Sequence, residues 1–419
     1  MDTGGLRELY ETRMRGLVPQ LPPVGAVVCQ DGPFVRTHYG THGTVDHAPL
    51  AGPPPAGLVR RQAEAFAERG EGARWKVHGH DHAGLAGELE AAGFEPGPER
   101  SVLVAAFDGL APPQGPPADV RSLGAWEADP DWWPRLRELA AARGPHPDPL
   151  EEFETDAAWC GGRGDAAVVL EGGRPAAGGW ARVVPGRELV AVGGLTAPAA
   201  AADLVRSWQG LGAAYRYEGA RYCCAEAAGE TRTALLAAGF AEVATVRTFT
   251  LAAPEGVPAV TTRPVLGLGG VRGQAVWDRL WGEFGFRTKV VEMPGFAPPA
   301  PSATWPLGDP VEEHTRPVEQ AVRRALTAVT APGDRLYWMD WQHPCSDFDP
   351  HRVGRPGQPP WPGWAFPNGD FYFYLDPELR FGTFGHPWEP TLTVFGAALL
   401  AAAGPQLTRL LGDPVRRQG

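Results

Sequence analysis

One pattern occurs twice in this chain and constrains its fold more than any other feature. The segments Leu89–Gly109 and Leu235–Gly256 read LEAAGFEPGPERSVLVAAFDG and LLAAGFAEVATVRTFTLAAPEG. In each, a helical pattern ends at Ala-Ala-Gly-Phe, with glycine where a helix C-terminus favours it, and an alternating strand pattern follows. With one gap the strands align, which indicates an internal duplication of one α/β unit. Such junctions also recur by chance in alanine-rich chains, so the match beyond the junction is what favours duplication.

Two proline-rich stretches, Asp108–Val120 and Leu251–Pro264, divide the chain. Stretches of this composition favour extended linkers. They leave three segments of domain size, and we assign the domains to residues 1–110, 118–252 and 265–419. The sequence therefore predicts two α/β copies followed by a third domain of different character.

The second copy gives the clearer order of elements. Asp131–Gly144 and Leu150–Gly162 have helical periodicity, and Asp165–Leu195 reads as three antiparallel strands. A helix after VAVGGLTAP, a strand, a helix and a last strand follow. This order, with Gly-Phe after the final helix, resembles the GNAT family of N-acetyltransferases. The first copy, in particular Ala73–Pro96, is similar to the amino-terminal lobe of two-lobed actinobacterial GNAT proteins, in a degenerate form. The resemblance implies an α/β (α+β) fold of tandem mixed sheets flanked by helices.

The resemblance also implies a cofactor site. GNAT proteins hold acetyl-CoA between their fourth and fifth strands, with its pyrophosphate on the loop before the next helix. Backbone N–H groups at a helix N-terminus suit such a phosphate. The matching residues here are Gly194, Leu195, Thr196, Ala197, Ala199, Ala200 and Ala201. The basic residue and the later glycines of the family loop are missing, and Asp203 follows within the helix.

The catalytic residues that the family implies are only partly present. Leu235 stands where the family has the tyrosine that protonates the leaving thiolate. Glu226, at the end of its strand, is the candidate general base, and Tyr222 on the same strand is a second catalytic candidate. A surface carboxylate and a half-buried strand tyrosine are the alternatives.

The segment Val77–His82, VHGHDH, resembles part of a metallohydrolase motif. Alternate histidines of an extended strand share one face, which could suit a metal. No distant ligand motif completes the site, and the same letters belong to the two-lobed GNAT resemblance. We therefore expect no metal.

The third segment is rich in aromatic residues. Its stretches Trp338–Pro344, Asn368–Leu375 and Phe381–Gly396 resemble an uncharacterised actinobacterial family, domain of unknown function 2716 (DUF2716). This resemblance supplies a boundary for an α+β domain and no chemistry. The residues themselves offer catalytic candidates beside tryptophans at strand ends, where sites often form: Asp340, His343 and His386, with Asp370 and Glu389 nearby. The alternative is that the histidines anchor turns and the tryptophans fill the core.

Composition narrows the classes of function. The net charge of -11 argues against nucleic acid as a partner. The longest apolar stretch is too short to span a bilayer and the amino terminus lacks a signal-peptide core, so we expect no membrane and a cytoplasmic location. The five cysteines form no CxxC pair, which disfavours a disulfide scaffold or a structural zinc.

The function that these observations favour is transfer of an acyl group from acetyl-CoA, or another activated acyl donor, to an amine of a small molecule. A homodimer is among the assemblies we expect. Two alternatives stay open. The GNAT-like copies could form a catalytically inactive binding or association module, or the activity could reside in the carboxy-terminal domain.

Overall fold

The chain divides into two compact units, Met1–Thr262 and Arg263–Gly419, in a computed structural model. The structure describes residues 1–19, 22–112, 118–122, 164–184, 188–209, 219–256, 260–288, 295–308 and 312–419, with 134, 138, 139 and 186. The two helices predicted between residues 131 and 162 lie, apart from three residues, outside this description. No helix within it has the length and apolarity needed to cross a membrane.

The first copy alternates strands and helices after an initial helix. Its elements are α1 (Thr3–Met14), β1 (Val27–Asp31), β2 (Phe34–His38), β3 (His42–His47), α2 (Leu58–Ala67), β4 (Gly72–His78), α3 (Gly84–Ala91) and β5 (Glu95–Ala106).

After one additional strand, the second copy repeats the order that follows α1 in the first. Its described elements are β6 (Asp119–Ser122), β7 (Gly164–Glu171), β8 (Arg174–Val183), β9 (Leu189–Gly193), a 3₁₀ turn (Pro198–Ala200), α4 (Ala201–Ser207), β10 (Tyr222–Ala227), α5 (Gly229–Ala237) and β11 (Ala241–Leu251).

The Gly-Phe junction ends a helix in the same way in both copies. Gly93 and Gly239 have φ angles of 90° and 102°, which glycine adopts without steric cost. The N–H of Phe94 donates to the carbonyl of Leu89 at 3.0 Å, and that of Phe240 to Leu235 at 3.1 Å. In both cases the N–H bonds to the carbonyl five residues earlier, which satisfies a carbonyl at the end of the helix. The predicted helix ends are therefore confirmed.

The described strands of the first unit form one sheet in the order β1-β2-β3-β4-β11-β5-β10-β9-β8-β7-β6. The last strand of each copy has exchanged places: β11 pairs with β4 of the first copy, and β5 pairs with β10 of the second. The exchanged strands also pair antiparallel with each other. The result is the tandem GNAT-like mixed sheet that the sequence predicted, with its two copies joined through their last strands.

The registers show an approximate two-fold axis between β5 and β11. Arg100 pairs with Val246, which is the equivalent position of the second copy. On one side Ser101 pairs with Thr245. On the other side Glu99, the equivalent of Thr245, pairs with Arg247, the equivalent of Ser101. A pairing of this kind is what a two-fold axis through one residue pair produces.

The outer registers agree with this axis. Lys76 of β4 lies opposite Thr248, and Glu226 of β10 lies opposite Val102. Val102 lies eight residues after Phe94, and Thr248 lies eight residues after Phe240. The two last strands therefore align without the gap that the sequence comparison introduced. Lys76 and Glu226 are therefore equivalent positions of the two copies.

The exchange also carries side chains between cores. Leu103 of the first copy is fully buried among second-copy residues such as Val190, Leu235 and Phe240. Phe249 of the second copy is buried in the core of the first, with Trp75.

The second unit is an α+β domain with one antiparallel sheet. Its elements are β12 (Val265–Leu268), α6 (Gly270–Glu283), β13 (Ser302–Pro306), α7 (Glu312–Ala328), β14 (Leu336–Asp340), β15 (Cys345–Phe348), β16 (Tyr372–Leu375), β17 (Gly382–His386), β18 (Thr391–Phe395), α8 (Ala397–Leu411) and β19 (Arg416–Gln418). The sheet order is β12-β15-β14-β16-β17-β18-β13-β19. Helix α6 packs on it through an aromatic core that includes Phe286, Phe373 and Phe384. The predicted fold class, two multi-stranded sheets flanked by helices, is confirmed in both units.

Candidate functional site

The parallel strands β9 and β10 separate at their carboxyl ends. Their ladder covers only Leu189–Val192 against Tyr222–Ala225. Strand β10 continues to Ala227 on its other side, paired with β5. Beyond Val192 and Ala225 the described residues of the two strands share no ladder hydrogen bond, and we call the space between their carboxyl ends the cleft.

The chain leaves β9 at Gly194, whose φ angle is 62°. Thr196 then bonds to β8: its N–H donates to the carbonyl of Gly178 at 2.9 Å, and its hydroxyl accepts the Gly178 N–H at 2.8 Å. A Cβ atom at Gly194 would lie 2.8 Å from Cδ1 of Trp180. Only glycine combines this backbone conformation with this close approach.

The predicted phosphate loop continues into the 3₁₀ turn and α4, with no side-chain cap. Asp203 in its first turn pairs with Arg206 at 2.7 Å. The Arg206 guanidinium also donates to the carbonyl of Ala111. The seven predicted residues thus carry no charged side chain: Gly194, Leu195, Thr196, Ala197, Ala199, Ala200 and Ala201. The N–H groups of Thr196, Ala200 and Ala201 already donate to backbone carbonyls, and Leu195 and Ala201 are buried.

Glu226 lies at the end of β10 beside this cleft. Its carboxylate is 2.5 Å from the Lys76 ammonium, and its side chain is 24% exposed. Burial raises the pKa of Glu226, but the Lys76 charge and hydrogen bond outweigh it and leave the pKa below its ordinary value. The carboxylate is ionised at neutral pH and is a weaker base than an unpaired one. The sequence interpretation missed Lys76, because aligning the two copies shows only that it is the equivalent of Glu226 and not that the two side chains meet.

Tyr222 and Leu235 belong to the packed interior. Tyr222 is 8% exposed in a cluster with Leu6 and Tyr10 of α1, and the Arg221 guanidinium carbon lies 5.6 Å from its ring centre. Leu235, at the place of the family tyrosine, is completely buried in the second-copy core.

The equivalent position of the first copy, between the ends of β3 and β4, contains a buried ionic network. The Arg15 guanidinium, 2% exposed, binds both Asp81 oxygens at 2.7 and 2.9 Å. It also lies 3.4 Å from Nδ1 of His47, the last residue of β3. Asp81 in turn accepts the backbone N–H of His78, the last residue of β4, at 2.7 Å. Burial raises the pKa of Asp81, but hydrogen bonds from His78 and Arg15 hold it far below its usual range.

The histidines of VHGHDH connect this network to α1. Tyr10 shares a hydrogen bond with His78 at 3.0 Å, and His80 lies 2.5 Å from the carboxylate of Glu11. The positive charge beside these histidines is the Arg15 guanidinium, 3.1 Å from Nε2 of His80.

In the second unit, Asp340, His343 and Asp370 converge. Nδ1 of His343 lies 3.0 Å from Asp340 and 3.3 Å from Asp370. The histidine side chain is 59% exposed, whereas the carboxylates are 10% and 18% exposed. His343 sits in the turn between β14 and β15, next to Gln342, whose φ angle of 65° is uncommon outside glycine.

The ionisation of this group is coupled. Burial raises the pKa of Asp340 to about 6, although His343 opposes the shift and the Asp370 charge adds to it. The hydrogen bond to Asp340 raises the pKa of His343. Burial likewise raises the pKa of the neighbouring Cys345 thiol to about 11, so this cysteine is protonated and not a thiolate nucleophile at neutral pH.

His386 has a different environment from His343. It is 2% exposed, and its Nδ1 accepts the N–H groups of Trp388 at 3.2 Å and Glu389 at 2.9 Å. Burial lowers its pKa, so the ring is neutral. Glu389 forms a two-bond pair with Arg416 at 2.6 and 2.8 Å. The structure thus brings Asp340, His343 and Asp370 together and uses His386 in a turn.

Comparisons with known proteins find similar proteins for both units. Residues 268–400 match the family described as "Protein of unknown function (DUF2716)". The chain is 30% identical over 145 residues to the uncharacterised protein YxiI of Bacillus subtilis, spanning 88% of that protein and 31% of this chain.

Solved structures are similar at low identity. A GCN5-related N-acetyltransferase from Kribbella flavida matches with a TM-score of 0.41 and 18% identity, covering 54% of this chain and 90% of that one. A tandem GNAT protein from the clavulanic acid biosynthesis pathway matches with a TM-score of 0.38 and 13% identity, covering 61% and 94%. A conserved protein of unknown function from Staphylococcus epidermidis has a TM-score of 0.40 and 9% identity, covering 55% and 95%. The chain belongs to the family of YxiI, and it joins a DUF2716 region to a unit with a tandem GNAT-like fold.

Proposed function

We propose that the second GNAT-like copy is an N-acyltransferase. It would take an acyl group from acetyl-CoA, or from another activated donor, and pass it to an amine of a small molecule. The observation that carries the proposal is the separation of β9 and β10 after Val192 and Ala225, which leaves a strand edge beside a glycine turn.

The first copy supports the assignment by contrast. Between the ends of its own parallel strands, the Arg15–Asp81 pair and His47 form a buried network. Removing one partner of such a pair leaves a buried charge uncompensated, so a donor that displaced it would cost about 3–5 kcal/mol of stability. We therefore assign donor binding to the second copy alone.

The chemistry requires alignment, one proton acceptor and oxyanion stabilisation. The amine nitrogen attacks the thioester carbonyl, the carbon–nitrogen bond forms, and the thiolate leaves with the sulfur electron pair. Before this attack Glu226 takes one proton from the ammonium, so that the neutral amine is the nucleophile. The second proton that the nitrogen loses passes to the departing thiolate, which is released as the thiol, and backbone N–H groups beside the cleft stabilise the oxyanion. Lys76 and the substrate ammonium would compete for the same carboxylate, so the acceptor has to displace the Lys76 ammonium before Glu226 can take its proton.

Donor affinity is the first test. We expect heat on titrating the full chain with acetyl-CoA, and a loss of at least about tenfold in affinity for Gly194→Ala, because its Cβ would meet Trp180. The control is Gly57→Ala before α2, where φ is also positive at 75° and a Cβ would have no atom within 4 Å. If millimolar acetyl-CoA gave neither heat nor a thermal shift, the proposal that acetyl-CoA is the donor would be wrong.

Catalysis is tested separately with Glu226→Gln. This variant should keep donor binding and lose a factor of about 10² or more in kcat for amine acylation, the usual contribution of a general base. Glu242→Gln is the control, because Glu242 on β11 is likewise an ion-paired carboxylate, in its case with Arg232 at 2.6 Å. Equal activity of the two variants would exclude Glu226 as the base.

A further inference from the structure

A groove in the second unit lies between helix α7 and the loop that follows β15. It has a volume of about 790 Å³. Ligand pockets of proteins usually fall between about 300 and 1,000 Å³, so the groove can hold a whole small molecule. Arg323 and Arg324 of α7 line one side, and Arg355, Trp361 and Trp364 line the other.

The groove is strongly cationic. Four arginines line it, with Glu319 as the single carboxylate, in a chain whose net charge is -11. Arg324 and Arg355 are exposed, and within the described part of the chain their guanidinium groups form no ion pair. Glu319 does not neutralise them, because it is 3% exposed and faces Arg323 at 3.4 Å. Guanidinium groups without an ion pair, one on α7 and one on the loop after β15, suit a phosphorylated ligand, which each can bind through two parallel hydrogen bonds.

The aromatic wall is held in place by buried contacts. One Glu319 oxygen accepts the N–H groups of Ala365 and Phe366, each at 2.6 Å, which fixes the loop on α7. Arg323 lies 5.6 Å above the ring of Trp361, which also packs edge-on against Phe348 at 5.3 Å.

Trp364 completes this wall. The Trp338 indole N–H donates to its carbonyl at 3.1 Å, while its side chain remains 49% exposed. A large exposed aromatic ring on a fixed backbone is a surface on which another flat ring can stack.

We propose that this groove binds a nucleoside phosphate, with its base against Trp364 and its phosphates on Arg324 and Arg355. Charge alone would suit any anion and the tryptophans alone any apolar molecule. Their placement in one groove of this size favours a ligand that carries both a flat ring and phosphates. The site is independent of the acyltransferase proposed for the first unit.

The test is titration of the full chain with ADP, read by calorimetry and tryptophan fluorescence. Adenosine supplies the ring without charge, and pyrophosphate supplies the charge without a ring. We expect ADP to bind at least about tenfold more tightly than either, with an affinity that falls as salt rises. Pyrophosphate binding as tight as ADP would reduce the groove to an inorganic anion site. The proposal would also be overturned if ADP showed no saturable binding. Tighter binding of polyglutamate, an acidic polypeptide without phosphate, would overturn it as well.

Variants locate the site. Arg324→Ala with Arg355→Ala should lower ADP affinity by about a hundredfold, about tenfold for each charged hydrogen-bonding group. Arg409→Ala with Arg417→Ala, two exposed arginines elsewhere in the unit, should change it little. Trp364→Ala should weaken ADP and leave pyrophosphate unaffected, whereas Trp388→Ala, at a position 56% exposed outside the groove, should alter neither. Equal losses in test and control variants would contradict this assignment.

Because CoA contains an adenosine diphosphate group, the two proposals need separate readouts. The double arginine variant should retain acetyl-CoA binding in the second copy. Gly194→Ala should retain ADP binding in the groove. If Gly194→Ala abolishes ADP binding, the ADP site is the acyl-donor cleft and the proposal for the groove is wrong.

Discussion

At the scale of single residues, the second unit places two carboxylates close together in a partly buried site, where burial disfavours their ionised forms. The Asp340 side chain is only 10% exposed, and a second carboxylate, that of Asp370, lies near it. His343 supplies the compensating positive charge from a turn that is mostly exposed. An exposed histidine that is held by two carboxylates can gain or lose a proton near neutral pH without moving the backbone, which is what acid–base chemistry needs.

The first residue-scale prediction concerns stability and pH. The pKa of Asp340 rises on folding from 3.8 to about 6, so the folded state binds this proton more tightly. A raised pKa contributes stability below the unfolded value, which is lost as pH rises through the folded one. That contribution is at most about 3 kcal/mol, present at pH 4 and lost above pH 6. Hydrogen exchange of the strand Leu336–Asp340 should therefore quicken, beyond the intrinsic pH effect, between pH 4 and 6, and less so in Asp340→Asn. Identical profiles for the two proteins would contradict the raised pKa.

The second residue-scale prediction concerns His343 itself. Nuclear magnetic resonance titration should give His343 a pKa above 6.5, because Asp340 accepts a hydrogen bond from its protonated ring, and Asp340→Asn should lower that pKa. Asp376→Asn is the control, because Asp376 pairs with Arg380 instead, at 2.7 Å. A His343 titration that Asp340→Asn leaves unchanged would place its proton elsewhere.

At the scale of elements, the exchanged strands decide how the first unit is built. Strands β5 and β11 pair with each other and each completes the sheet of the opposite copy. Leu103 and Phe249 are equivalent positions on these strands, and each fills the core of the copy to which it does not belong in sequence.

Matched alanine variants test the exchange. Phe249→Ala should cost about 3–5 kcal/mol and Leu103→Ala about 2–5 kcal/mol, the usual range for emptying a buried site. The location of the damage is the informative part. Hydrogen exchange should quicken in β4 and α3 of the first copy for Phe249→Ala, and in β9 and β10 of the second copy for Leu103→Ala. The reverse pattern would mean that each strand pairs within its own copy.

The exchange also shows where sequence reasoning stops. The helix ends at Gly93 and Gly239, the order of helices and strands along the chain and the aromatic third segment follow from local patterns, because turn and periodicity signals lie within a few residues. The partner of each last strand does not, because the pattern of a strand predicts which of its faces is buried and not which strand it pairs with. For the same reason His343 and Asp340, three residues apart, are a predictable pair, whereas Lys76 and Glu226 come from different copies and are not.

At the scale of the whole molecule, the two units differ in what completes them. The sheet of Arg263–Gly419 uses strands from Val265 to Gln418 and contains its own aromatic core. The first copy of the other unit lacks this independence, because both neighbours of β5, namely β10 and β11, come from the second copy. A segment is expected to fold alone when its core and its sheet are complete within it.

Fragments make this expectation measurable. Residues 263–419 and 1–262 should each show near-ultraviolet circular dichroism and a single cooperative urea transition. Residues 1–110 should not, because this fragment loses the ladders of β11 with β4 and β5 and the volume of Phe249 in its core. Placing β5 next to β4 would not replace it, since Leu103 is smaller than Phe249 and leaves a cavity. A stable monomer of residues 1–110 with a cooperative transition would show that the first copy is a domain in its own right, and that the strand exchange is not what holds it together.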